Sequence, residues 1–302
     1  MCGLTSAGLS ECQKNLAIQQ TNLFQLDSIQ FDYGHCEKDD TGNGYSAGIA
    51  NFCTGVGDLW EVIKIYHIAT NGDDEFTIFD ETLQKYANEL NGTTADLKDF
   101  CKVWNKAAAV QELMDAQDEI LDSMYFKPSQ EYSDKLGLNL SISQAQLYDT
   151  SISHGTSNNS HSLGGMIELT NSRIGRDIAG NSTSTLQIGE FMVDEIEWLK
   201  EFLNVRAGYS SEGDATNSIQ SYLYMLQNGD YAWGDSVYTL DNENKQIQLL
   251  CTNSYTPNKG SELDYVSPSL PLSSSSLLAA ITQSEADGLD GLDTVSPTVV
   301  NL

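Results

Sequence analysis

The sequence predicts a mainly α-helical protein with a small β-sheet, an α+β arrangement. Apolar residues recur at helical spacing in several separate segments. A single Gly/Asn-rich turn lies between two short runs that read as strands. No internal repeat is visible, and no apolar run approaches the ~18 residues of a membrane span.

The elements follow in chain order. Ile29–Tyr33 and Tyr45–Phe52 flank the turn Asp39–Ser46 (DDTGNGYS) and are expected to form a short hairpin or bent strand pair. Leu59–Tyr66 reads as a helix, with Asp58 at its start and Glu61 three residues on. Val110–Met124 carries Val110, Leu113, Met114, Ile120, Leu121 and Met124 at helical spacing. Phe191–Val205 places Ile196, Leu199, Phe202 and Leu203 on one side, and Ile219–Leu226 is a further helix. Beyond Asp241 the composition shifts, to Ser/Pro/Leu at Ser267–Ser276 and Gly/Asp at Asp287–Asp293. Residues 1–245 are therefore expected to form the folded domain and 246–302 a poorly packed extension.

The 302 residues suffice for one sizeable domain or for two lobes. Fifteen Lys and Arg against 43 Asp and Glu leave a net charge of −28, a field that repels nucleic acid and anionic membrane and attracts polycations. Solubility in an acidic medium explains the same charge equally well. The six cysteines, Cys2, Cys12, Cys36, Cys53, Cys101 and Cys251, show no CxxC or zinc-type spacing, so two or three structural disulfides in an oxidising compartment are expected. Sequons at Asn91, Asn139, Asn158 and Asn181 agree with secretion. The polar N-terminus does not read as a signal peptide.

Chemistry is best placed at the Gly-rich turn. There Asp39 and Asp40 sit beside flexible backbone, followed by the hydroxyls of Tyr45 and Ser46. A carboxylate on such a turn can hold or deprotonate a water, although an ordinary turn capped by Asp has the same composition. Asp58 suits a helix cap as well as a ligand contact. His154 alone is more often a satisfied histidine than a catalyst, and Asp149 with Arg206 reads as a buried ion pair. No GxSxG, HExxH, P-loop or dinucleotide fingerprint is present, so no metal or cofactor is expected.

Several blocks together resemble one family. Gly42–Asp58 (GNGYSAGIANFCTGVGD), the following LWEVIKIY, Tyr125–Pro128 (YFKP), Tyr148–Gly155 (YDTSISHG), Ser162–Gly165 (SLGG), Phe202–Arg206 (FLNVR) and Asp214–Gly229 are similar, in order, to bacterial chitosanases of the lysozyme superfamily. The resemblance implies a lysozyme-like, two-lobed fold with a substrate cleft between the lobes. It also implies endo-acting hydrolysis of β-1,4 bonds in chitosan or a related polysaccharide, with inversion. Such chemistry uses a general acid and a base ~6.5–9.5 Å apart, with room between them for water. The implied partner is a cationic polysaccharide, with no nucleic acid or membrane, and the implied protein is a secreted monomer.

Carried over residue by residue, the resemblance meets departures. The family's base, an Asp before Gly-Arg-Gly, falls on Thr41 without a gap and on Asp40 if one residue is inserted. Ser46 takes the place of the water-holding Thr, Asn43 that of the turn Arg, and Asp58 that of a substrate-binding Asp. Asn22, Asn43, Tyr45, Asp58 and His154 are the expected substrate contacts. The general acid, a Glu followed by Asn about a dozen residues before a Tyr, falls on Thr21–Asn22 ahead of Tyr33. Of an Asp/Arg/Arg network supporting that acid, Asp149 and Arg206 remain, and Asn217 meets the third place. A Thr hydroxyl cannot replace a tuned carboxylic acid. Three readings follow: a working hydrolase, a glycan-binding protein with altered catalysis on the same fold, and a polysaccharide lyase, which the negative charge disfavours.

Overall fold

Ser10 opens the first helix with a reciprocal cap: its hydroxyl accepts from the Gln13 amide (3.3 Å), and the Gln13 side chain accepts from the Ser10 N–H (2.9 Å). The structure is a computed structural model that describes residues 8–39, 42–209 and 214–251. Asp40, Thr41 and most of the expected extension therefore lie outside the described residues.

Helix α1 spans Glu11–Gln25, and Leu16 through Phe24 are all buried. The α-helices that follow are α2 (Asp58–Thr70), α3 (Asp80–Glu89), α4 (Phe100–Ala107), α5 (Gln111–Leu121), α6 (Lys127–Leu136), α7 (Ser141–His154), α8 (Leu163–Arg173), α9 (Glu195–Ala207) and α10 (Asp214–Asn228). A π-helical turn at Asp122–Phe126 joins α5 to α6 without a break. A helix with an inserted π turn re-aims its side chains and often marks a functional region.

Helices α1 and α7 run side by side in the same direction. Gln13 donates to the Ser141 hydroxyl (2.9 Å) at one end and Gln25 to the Ser153 hydroxyl (3.2 Å) at the other. Equal spacing on two helices of equal rise requires a parallel pair in register. Both C-termini therefore meet at one end. Helix α7 is buried from Ser141 to Ser151 although it is rich in Ser, Gln and Thr. Part of this polar load is satisfied within the helix, since Thr150 donates to the Gln146 carbonyl (2.9 Å) and Ser151 to the Tyr148 carbonyl (2.6 Å). Ser143 Oγ and Gln146 Oε1, by contrast, are buried with no hydrogen-bond partner among the described residues.

Strands β1 (Cys36–Lys38), β2 (Tyr45–Ala47) and β3 (Phe52–Cys53) form an antiparallel sheet with Glu37 opposite Ser46 and Ser46 opposite Cys53. Phe76, Phe79, Phe100 and Trp104 pack edge-to-face or tilted behind it, with ring centroids 5.5–6.1 Å apart. Strands β4 (Thr185–Ile188) and β5 (Phe191–Asp194) make one hairpin, and β6 (Ser236–Leu240) and β7 (Gln246–Leu250) another. Two disulfides fasten the ends, Cys36–Cys101 between β1 and α4 and Cys12–Cys251 between α1 and the residue after β7. Among the described residues Cys53 is a free thiol, and no helix is long and apolar enough to cross a membrane.

Three boundaries differ from the sequence reading. The strand before the turn is Cys36–Lys38 rather than Ile29–Tyr33, because the Tyr33 carbonyl is held by the Trp104 indole (2.9 Å) and Gln117 amide (3.2 Å) instead of a strand partner. Phe191–Asp194 is a strand, and α9 begins only after Asp194, whose carboxylate caps Ile196 (3.0 Å) and Glu197 (3.3 Å). The fold also continues past residue 245, since Ile247 and Leu249 of β7 are buried.

Candidate active site

The β1–β2 turn is built by glycine. Gly44 lies at φ +95°, and a Cβ there would sit 2.1 Å from the Thr54 hydroxyl, so no other residue fits without a shift. Asp39 closes the turn by donating its N–H to the Gly44 carbonyl (2.8 Å), and its carboxylate accepts from the Asn43 N–H (3.0 Å). The Asn43 side chain is exposed. Tyr45 donates its N–H to Thr54 Oγ1 (3.0 Å) and stacks on Phe100 with ring centroids 5.7 Å apart. Ser46, on β2, is buried, and its hydroxyl lies 3.3 Å from the Cys53 thiol. The structure thus puts Asp39, Asn43, Tyr45 and Ser46 on one hairpin.

Asp58 is held by protein rather than presented to solvent. One carboxylate oxygen accepts from the backbone N–H groups of Cys53 (2.7 Å) and Leu59 (2.8 Å), and the other from the Tyr125 hydroxyl (2.6 Å). Burial pushes its carboxyl up to about 6, with these hydrogen bonds pulling the other way. The neighbouring Cys53 thiol is pushed up to about 12, first by burial and then by the Asp58 charge, so it stays protonated and non-nucleophilic. Asp58 therefore joins β3, the start of α2 and the π turn. An open cavity of about 360 Å³ lies beside it, lined by residues that include Gly57, Trp60, Asn88 and Met124.

A second cluster lies at the common end of α1 and α7. Arg206 of α9 pairs with Asp149 of α7 at 2.5 Å, both fully buried, and the Ser218 hydroxyl of α10 donates to the same carboxylate oxygen at 2.7 Å. Arg206 also donates to the Ser153 hydroxyl (3.4 Å), which accepts from Gln25 as well (3.2 Å). A chain of contacts thus runs from Ser218 and Asp149 through Arg206 and Ser153 to Gln25, the last residue of α1. Asn217 sits one position off this network and reaches Asn242 at 3.5 Å. His154, next to Ser153, is half-buried, and its ring is pushed down to about 4 by burial and then by Arg206. It is neutral at any pH above that range.

Thr21 and Asn22 lie elsewhere on α1. Both are 1% exposed; Asn22 donates to the Gln30 carbonyl (3.3 Å), and the Thr21 hydroxyl has no partner among the described residues. Gln25, not singled out by sequence reasoning, is the α1 side chain that the structure joins to this network through Ser153. Its signal was present in helical arithmetic, because a position four residues after Thr21 lies on the same face, one turn nearer the helix end. Among the described residues no group of three or more His, Cys, Asp or Glu is arranged to hold a metal ion.

Comparison with known proteins bears on both clusters. The model of glycosyl hydrolase family 46 matches residues 21–221. A chitosanase of Bacillus subtilis (strain 168) is 34% identical over 201 residues, covering 67% of this chain and 68% of that protein. Among solved structures, a variant chitosanase from Bacillus subtilis MY002 complexed with 6 GlcN superposes with a TM-score of 0.70 at 27% identity, covering 81% of this chain and all of that one. The complex of the Gynuella sunshinyii chitosanase with chitotetraose gives a TM-score of 0.69 at 26% identity, covering 80% of this chain and 98% of the other. The matched segment takes in the β1–β2 turn, the Asp149–Arg206 pair and Ser218. With two thirds of its length on the family model and a mainly helical fold shared with these enzymes, the chain belongs to glycosyl hydrolase family 46.

Proposed function

We propose that this glycoside hydrolase cleaves chitosan, attacking internal β-1,4 bonds with inversion at the anomeric carbon. The observation that carries this reading is the matched segment, which spans the glycine-built turn and the buried Asp149–Arg206 network in a chain of net charge −28. A glucosamine polymer is cationic in mildly acidic water, so a negative protein attracts it and repels anionic polysaccharides. Relatives solved with 6 GlcN and with chitotetraose support the same substrate class.

In the proposed reaction a base on the β1–β2 turn takes a proton from water, which attacks the anomeric carbon from the face opposite the leaving sugar. Asp40 is the proposed base, with Thr41 the inserted residue that follows it. Asp39 accepts from the Asn43 N–H and braces the turn. Asn43 and Tyr45 are proposed to contact substrate in a cleft between two lobes. Asp58 acts on substrate indirectly, by holding the sheet against α2. Two disulfides and the exposed sequon Asn181 support secretion by an oxidising route.

A second reading has its own support. Thr21 is buried and carries no acid, which favours a glycan-binding protein with altered catalysis on this fold. One assay separates the two: soluble chitosan is followed by viscosity and by reducing ends together. A fall in viscosity that outpaces reducing ends, and that disappears in Asp40→Asn, supports endo-hydrolysis. No cleavage, but thermal stabilisation by chitosan, supports binding alone.

A further inference from the structure

We infer that Gln25 occupies the proton-donor position of this hydrolase, and that its amide holds down the wild-type rate. The inference rests on the chitosan reading above and deepens it. Three polar side chains occupy the last five positions of α1, Thr21, Asn22 and Gln25. The first two are 1% exposed, and Asn22 is committed to the Gln30 carbonyl. Gln25 is half-exposed and is joined to Arg206 through Ser153, whose hydroxyl oxygen accepts from both.

The cluster is built at some cost. A buried guanidinium needs its counter-ion and further polar partners. Here Asp149, itself held by the Ser218 hydroxyl, and Ser153 supply them, and the chain of donors ends at a side chain that reaches the surface. Such a relay fixes whatever stands at residue 25. A hydroxyl has one proton to donate and two lone pairs. With both lone pairs engaged by Arg206 and Gln25, the Ser153 proton remains for a carboxylate at position 25 if one is introduced. Glutamate has the shape of glutamine, so it enters the same place with a proton to give.

The proton balance shows what the amide changes. In both proteins the bond from the anomeric carbon to the leaving oxygen breaks, the bond from that carbon to the water oxygen forms, and the water proton goes to the base on the turn. In Gln25→Glu the leaving oxygen takes its proton from the introduced carboxyl, which is reprotonated from solvent. In the wild type the amide N–H hydrogen-bonds to that oxygen but is far too weak an acid to release its proton, so water must supply one. General acid catalysis contributes roughly 10²–10⁴-fold.

The test compares the wild type, Gln25→Glu, and Gln25→Glu combined with Asp40→Asn. Steady-state cleavage of soluble chitosan is measured from pH 4 to 8, alongside thermal stabilisation by a glucosamine hexamer. The expected result is a rise of about 100-fold or more in kcat with KM changed less than about threefold. The gain should carry a new descending limb at higher pH, where the introduced carboxyl ionises, and should vanish in the double variant. A folded Gln25→Glu that binds the hexamer as the wild type does, without a rise in kcat, overturns the inference. If neither protein binds the hexamer, the chitosan reading fails, and the placement of residue 25 is judged separately. In that case a carbon-13 titration of the carboxyl introduced by Gln25→Glu should shift when Ser153→Ala removes the link to Arg206. An unmoved titration overturns the placement.

Discussion

Replacing Asp58 by Asn is predicted to stabilise the protein at neutral pH and to do nothing comparable in acid. The carbonyl oxygen of the introduced side chain keeps the two backbone bonds from Cys53 and Leu59, and its amide donates to the Tyr125 oxygen in place of the bond Asp58 receives. What disappears is a buried charge. Asp58 titrates at about 6 in the folded protein, mainly through burial, against about 3.9 in an unfolded chain. Below the unfolded value the carboxyl is protonated in both states and its contribution is fully present. As pH rises toward 6, the unfolded state loses its proton first, so stability is lost through that window. Two units at 1.36 kcal/mol each amount to about 3 kcal/mol. Urea unfolding of the wild type and Asp58→Asn at intervals from pH 3.5 to 7.5, disulfides intact, measures the difference directly. The wild type should lose about 3 kcal/mol relative to the variant across this range. A difference that stays constant with pH refutes the argument that Asp58 is buried at a cost in its charged form.

Other expectations test the remaining parts. Arg206→Met should cost about 3–5 kcal/mol by leaving Asp149 buried and unpaired, and adding Asp149→Leu should recover most of it; a loss below about 1 kcal/mol in urea contradicts the buried pair. Cys101→Ser opens the bridge between β1 and α4, whose cysteines are 65 residues apart, and should lower stability by about 4 kcal/mol in the chain-entropy account. His67 bonds Asp74 through one ring nitrogen (2.7 Å) and Asp80 through the other (2.9 Å). Although burial opposes the charge, these bonds raise its pKa, so its stabilisation is full below the ordinary histidine value and fades as pH rises through the raised one. An NMR titration of the His67 ring that finds an ordinary or lowered value contradicts this.

The helical class and the glycine turn were legible because they follow local rules. Period-3.6 patterning located α2, α5 and α10, and the alternation of Gly and Asn located the β1–β2 turn. Helix α7 left no such trace: it is buried all round, so its Ser, Gln and Thr side chains carry no polar face to alternate with an apolar one. The strand Phe191–Asp194 was absorbed into a helix because its apolar residues continue smoothly into α9, and only the Asp194 cap separates them. At the site, Asp149 and Arg206 were legible as a pair because Arg is scarce and a buried Arg needs a carboxylate. Ser218 and Gln25 were not, since which residue of a helix reaches a partner depends on rotation about its axis. Asn217, which reaches Asn242, is one residue from Ser218, which meets Asp149, and Thr21 is four residues, about one turn, from Gln25, which meets Ser153.

The most direct test of the account is the product pattern from a glucosamine hexamer incubated with the wild-type protein at mildly acidic pH. Internal cleavage predicts dimers, trimers and tetramers as first products, formed by the wild type and absent with Asp40→Asn. An intact hexamer after prolonged incubation, release of monomers alone, or equal cleavage by Asp40→Asn would contradict endo-acting hydrolysis through the β1–β2 turn.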